Sequence, residues 1–197
     1  MFDKNPQSSW FAKAQNFGKS FMLPIAVLPA AGLLLGIGGA LSNPNTIKAY
    51  PFLNIDYLQN IFVIMSDAGS VVFANLALLF AVGISVGLAR TDKDTAGLAA
   101  VLSLLIMNTV INSMLKITDT LATNNLADAG QGIFLGIQTL ETGVFGGVCV
   151  GVMVYILHKK FHKIELPQFL GFFGGSRFVP IICSVASILL GVVMFII

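Results

Sequence analysis

The sequence predicts an all-α fold: a polytopic membrane bundle of five transmembrane helices with a short interfacial amphipathic segment. Three observations predict it. Of the 197 residues 56% are hydrophobic and only 10% charged, with a mean hydropathy of +0.87. A soluble domain usually carries about 25% charged residues, so these cannot cover a water-facing surface. Five apolar runs, at residues 21–42, 61–89, 96–115, 139–157 and 178–197, come close to or exceed the length of a bilayer span, about 20 residues. Lysine and arginine, finally, gather in alternate connections. Together these exclude a soluble enzyme, a coiled coil and a disordered linker.

Residues 1–20 form an N-terminal tail holding Lys4, Lys13 and Lys19; the second–third connection holds Arg90 and Lys93, and the fourth–fifth holds Lys159, Lys160, Lys163 and Arg177. Those nine cations share one side, against Lys48 and Lys116 on the other. The positive-inside rule then puts the N-terminus in the cytoplasm. A cleaved signal peptide is disfavoured, because the first run is long and four more follow it.

In the first span Pro24 and Pro29 remove backbone donors and should bend the helix. The second run, near 29 residues, exceeds what a bilayer needs and is expected to tilt or to start along the interface. Small residues four apart let helix backbones approach in lipid. Gly32 and Gly36, Gly83 and Gly87, the stripe Gly143, Gly147 and Gly151, and Ser187 with Gly191 are therefore candidate packing positions. Residues 165–175, ELPQFLGFFGG, are too short to span. Leu166, Phe169, Leu170, Phe172 and Phe173 suit either a short amphipathic helix from Pro167 to the glycine pair or an irregular loop with buried aromatics.

Polar residues at membrane depth are candidate functional or structural sites, since lipid cannot satisfy them. They are Asp67 and Asn75 in the second run, and the i, i+4 pair Asn108 and Asn112 in the third. Hydrogen bonding between helices is the expected role of the asparagines, and an interfacial or structural role that of Asp67. Catalytic motifs fail their tests. Gly18-Lys19-Ser20 has Lys13 where a P-loop needs glycine, and Gly36-Ile37-Gly38 lacks the third glycine of a dinucleotide fingerprint. His158 and His162 have metal-ligand spacing but cationic neighbours, and read as a solvated basic cap. Cys149 and Cys183 sit in apolar runs and offer neither a disulfide framework nor a zinc site. The residues thus call for no metal, no cofactor, no nucleic acid and no catalytic group.

Several stretches carry a resemblance. LPQFLGFFGGSRFVPI (residues 166–181), with Gly174, Gly175, Arg177 and Pro180, resembles a signature of the membrane IIC component of the bacterial phosphoenolpyruvate-dependent sugar phosphotransferase system, in its glucose, N-acetylglucosamine and maltose branch. GIQTLETGVFGGVCVG (136–151), HKKFHKIELP (158–167), KSFMLPIAVLPAAGLLLGIG (19–38) and DAGSVVFANLALLFAVGISVGLA (67–89) are similar to the same proteins, in order. The resemblance implies a multi-pass protein of the bacterial inner membrane, in a homodimer, working with IIA and IIB phosphocarrier domains on a hexose of the glucose type, with maltose or N-acetylglucosamine as further candidates. It implies that residues 21–197 are the scaffold and dimer-interface half of a ten-span permease. The sugar-binding half, with its histidine and Gly-Ile-Thr-Glu glutamate, and the IIB phosphocysteine have no counterpart here, so substrate-binding residues are expected beyond residue 197. The last run ends at Met-Phe-Ile-Ile without a polar anchor, which reads as a truncated or split permease. A non-transporting interaction module and an unrelated carrier or channel are the alternatives.

Overall fold

The computed structural model describes residues 6–197, with side chains from residue 11 onward except at positions 13, 169 and 170. Lys4 and the side chains of Lys13, Phe169 and Leu170 therefore lie outside the described residues. Eight α-helices and one β-hairpin are found among them. The helices are α1 (Pro6–Ser20), α2 (Met22–Ser42), α3 (Pro44–Ala49), α4 (Asp56–Ala74), α5 (Leu76–Leu88), α6 (Lys93–Ile117), α7 (Gly143–Phe161) and α8 (Phe178–Ile196). Five helical stretches are long and apolar enough to cross a membrane, and α5 is a shorter apolar helix. The chain divides into two compact units, Leu23–Leu76 and the remainder.

Local chemistry sets the breaks. Residues 6–20 are helical, and α1 ends at Phe21, whose N–H reaches only the Gly18 carbonyl at 3.2 Å. Pro24 follows and has no N–H to offer the Ser20 carbonyl. The second apolar run is two helices rather than one tilted span. Its break is Asn75 (φ −110°, ψ 23°), whose amide Nδ2 donates to the Val71 carbonyl at 2.8 Å. Asparagine competes with the backbone for such carbonyls, which is why it caps helices more readily than it continues them.

In the Leu23–Leu76 unit, α2 and α4 cross at two glycines. A Cβ on Gly38 would lie 2.6 Å from the Phe62 carbonyl oxygen, and one on Gly69 would lie 2.6 Å from that of Ala31. Asn43 caps α3 by accepting from the Asn45 N–H at 2.9 Å, with Pro44 at the first helical position. Gln59 Nε2 donates to the carbonyls of Leu53 (2.8 Å) and Leu41 (3.2 Å), tying the connection to both helices.

In the other unit α6 is central, packing on α8, α7 and the second strand of the hairpin. Its Ala100, Leu104, Met107 and Ile111 are buried with Val150 and Val154 of α7 and Val179 and Cys183 of α8. Asp94 in its first turn and Lys116 in its last complement the helix dipole. The hairpin pairs β1 (Gln131–Phe134) with β2 (Ile137–Leu140) in antiparallel register, Phe134 opposite Ile137. The turn residues Leu135 and Gly136 both have positive φ (47° and 83°), as a two-residue type I′ turn requires. Residues 139 and 140, expected to open the fourth span, instead belong to β2, and α7 begins at Gly143.

Candidate functional site

Two polar regions stand at opposite ends of α6. At the hairpin end, Asn108 is only 2% exposed. Its Nδ2 donates to the Leu104 carbonyl at 2.9 Å, while its Oδ1 accepts from Thr139 Oγ1 at 3.1 Å. One turn on, Asn112 Nδ2 donates to the Gln138 carbonyl at 2.6 Å. Gln138 Nε2 donates to Gln131 Oε1 (2.9 Å) and to the Ala122 carbonyl (2.8 Å). Gln131 Oε1 also accepts from the Ala122 N–H at 3.1 Å, and its Nε2 donates to the Thr120 carbonyl at 2.8 Å. The asparagines therefore bond to a strand, not to a neighbouring helix. A two-stranded ribbon is marginal alone, and this network fastens it to α6.

Gln131, Gln138 and Thr139 escaped the sequence reading, although the alternation around Leu135-Gly136 carried a hairpin signal. The cluster holds no nucleophile beside a base. Its hydrogen bonds position the hairpin on α6.

At the other end of α6 lies the loop that joins α7 to α8. Pro167 precedes a 3₁₀ turn, Gln168–Phe173, that closes at Gly174, so the amphipathic segment sits where the sequence put it but is wound more tightly than an α-helix. Gly175 takes φ +67° and donates its N–H to the Ile164 carbonyl at 2.8 Å, folding the loop back on itself. Arg177 Nη1 donates to the Phe172 carbonyl at 3.2 Å, and its guanidinium stands 4.9 Å from the Phe172 ring centroid. Phe172 is nevertheless 72% exposed. Pro180, in the first turn of α8, offers its carbonyl to Ser184 Oγ at 2.8 Å.

His158 is not a solvated cap residue. It is 2% exposed, stacks on His162 with centroids 5.3 Å apart, and leaves Nε2 buried without a partner. Its carbonyl lies 2.9 Å from His162 Nδ1. No group of three or more metal-ligating side chains occurs among the described residues.

The remaining candidates are dispersed. Asp67 lies exposed on α4, its carbonyl accepting from Ser70 Oγ at 2.9 Å, and Asn75 is the α4 cap. Gly147 packs against the Ala77 carbonyl, and a Cβ on Gly151 would lie 2.9 Å from that of Ile84. Gly143 opens α7 facing open space, Gly36 likewise meets nothing, and Gly32 only reaches the Phe73 ring at 4.0 Å. The close approaches in α2 and α4 fall at Gly38 and Gly69 instead.

Comparison with known proteins follows the same outline. Residues 18–197 match the family model described as phosphotransferase system, EIIC. Among curated proteins, the chain is 43% identical over 202 residues to the PTS system glucoside-specific EIICBA component of Staphylococcus carnosus (strain TM300), covering 97% of this chain. It spans 29% of that relative's length.

Proposed function

The chain belongs to the EIIC family of the phosphotransferase system, and on that premise we propose that it supplies the membrane frame of a sugar permease. In this reading the frame serves phosphoenolpyruvate-dependent uptake of a hexose of the glucose type, or of a glucoside. The match over residues 18–197 carries the reading, and the fused EIICBA relative supports IIB and IIA phosphocarriers as partners and a glucoside as cargo. The packed α6–α7–α8 core and its fastened hairpin suit a static part against which other segments move. We assign the cargo site to segments of the kind found in the relative outside the 29% of its length that this chain spans. Membrane vesicles test this directly. The chain alone should show no phosphoenolpyruvate-driven uptake of labelled glucoside, and joined to the remaining length of the relative it should restore uptake. Robust uptake by the chain alone would overturn the proposal.

The same reading places the N-terminus and the His158–Lys163 end of α7 in the cytoplasm, with the protein working as a homodimer. Lys19, Arg90 and Lys159 surround a single cavity, which supports one side for three of the basic segments, while Lys116 stands at the far end of α6. A cysteine introduced at Lys160 should react with an impermeant maleimide only in inside-out vesicles. Labelling from the outside of intact cells would reverse the topology.

A further inference from the structure

Where α1, α5 and α7 end together, two cavities share a wall. The larger, about 580 Å³, has Lys19, Arg90, Tyr155 and Lys159 in its lining, alongside apolar Val152 and Ile156. The smaller, about 380 Å³, also contains Arg90, Tyr155 and Lys159, and adds Lys163 with His158 and His162. Among the described residues neither lining includes an aspartate or glutamate. Asp92 and Asp94 act on His158 but face neither cavity. A Cβ on Gly87 would lie 2.8 Å from that of Ser20, so the end of α1, next to Lys19, rests directly on the end of α5.

A third hollow gives the site a direction. An apolar groove of about 460 Å³ runs along α7 past Val148, Cys149, Val152 and Ile156, with Ala186 of α8 on its far side. It shares Val152 and Ile156 with the cationic cavity. A cationic pocket and an apolar groove on either side of Val152 and Ile156 match a charged head and a hydrocarbon tail.

We propose that this end of the molecule binds an anionic glycerophospholipid. Its phosphate sits among Lys19, Arg90 and Lys159, and one acyl chain lies along residues 148–156 of α7. Gathered cations repel one another unless an anion joins them. The Arg90 guanidinium can take two phosphate oxygens at once. Tyr155, which lines both cavities, adds a hydroxyl on an amphipathic aromatic of the kind that favours headgroup depth. His158 and His162 line the adjoining cavity. Basic pockets between spans are recurrent sites for anionic headgroups. A free phosphate would satisfy the cations but leave the groove unused, so the tail is what selects a lipid.

The experiment is native mass spectrometry of the full chain released from nanodiscs of equal phosphatidylglycerol and phosphatidylcholine. Retained phosphatidylglycerol should exceed phosphatidylcholine at least tenfold. That ratio should fall about fivefold for each charge removed in Arg90→Gln and Lys159→Gln. Lys48→Gln and Lys116→Gln should leave it unchanged. If Arg90→Gln fails to fold, Lys19→Gln and Lys159→Gln provide the same reading separately. Equal retention in the variants and the unaltered chain would overturn the site. Displacement of the lipid by millimolar inorganic phosphate, as effectively as by short-chain phosphatidylglycerol, would overturn the lipid assignment and leave a soluble anion in its place.

Discussion

Helices α6 and α4 are both long and apolar enough to cross a membrane, yet protein covers them very differently. Within the most apolar stretch of each, 44% of α6 is buried and only 6% of α4. In water the second figure would mean a misfolded helix. In lipid it does not, because hydrocarbon receives an exposed leucine as readily as another leucine does. Burial here reports where packing is needed, not where apolarity must be hidden. Helix α6 is locked by a close-packed core along its length and by hydrogen bonds at its end. Helix α4 is held to α2 by two backbone crossings, at Gly38 and Gly69.

The sharpest way to break this contrast is a side chain where backbones touch. On Gly191 of α8, a Cβ would lie 2.8 Å from Val110 Cβ and 3.0 Å from the Met107 carbonyl oxygen of α6. Gly191→Leu should destabilise the protein by about 3 kcal/mol, since overpacking must shift one of two tightly fitted helices. A Cβ on Gly36 meets no atom within 4 Å, and Gly36→Leu should be near neutral. Thermal unfolding in detergent, followed by loss of monodisperse protein, separates the two. Equal shifts would mean that the α6–α8 seam is looser than drawn.

A cavity is the next largest effect. Leu104 is 0% exposed and Ile64 on α4 is 67% exposed. Large-to-small changes in soluble cores lose both a transfer contribution and a cavity contribution. Where the unfolded reference is lipid the transfer part largely disappears. Leu104→Ala should therefore cost about 2 kcal/mol, below the usual soluble range. Ile64→Ala should cost under about 0.5 kcal/mol. A cost at Ile64 matching that at Leu104 would show that α4 is covered in the native assembly.

That contrast also explains what could be read from the sequence. The membrane-length helices were legible, because length and apolarity decide them in a bilayer, while α1, within the predicted tail, and the short α3 were not. The locations of the proline-rich first span, of the loop at Pro167 and of the glycine turn at Gly175 were legible for the same reason: each is a local property of the chain. The interruption at Asn75 was less so, since its apolar flanks read through it. Glycine spacing was a poor guide to contact. Gly32 and Gly36 fit the four-residue pattern but make no close approach, while Gly38 and Gly69 do. Spacing names one stripe of a helix, and only the partner's position says which stripe is used. His158 shows the same limit: its neighbours in sequence are solvated lysines, but its ring turns inward. Gln131 and Gln138 were invisible because the worth of a buried amide depends on what folds over it.

The smallest expected effect tests the end of α6 rather than its length. Asn108→Ala removes the acceptor of Thr139 Oγ1, and Thr139 is itself only 2% exposed. A buried hydroxyl left unpaired costs more than the hydrogen bond was worth, about 1.5 kcal/mol here. Adding Thr139→Val removes the orphaned group, so the double variant should recover part of that loss although it has lost more polar atoms. Hydrogen exchange at the β1–β2 amides should rise in Asn108→Ala and fall back in the double variant. The α2–α4 amides, none of which belongs to this hydrogen-bond set, should exchange alike in all three proteins. If the double variant is less stable than Asn108→Ala, Thr139 has a second partner and the hairpin is fastened by more than this pair.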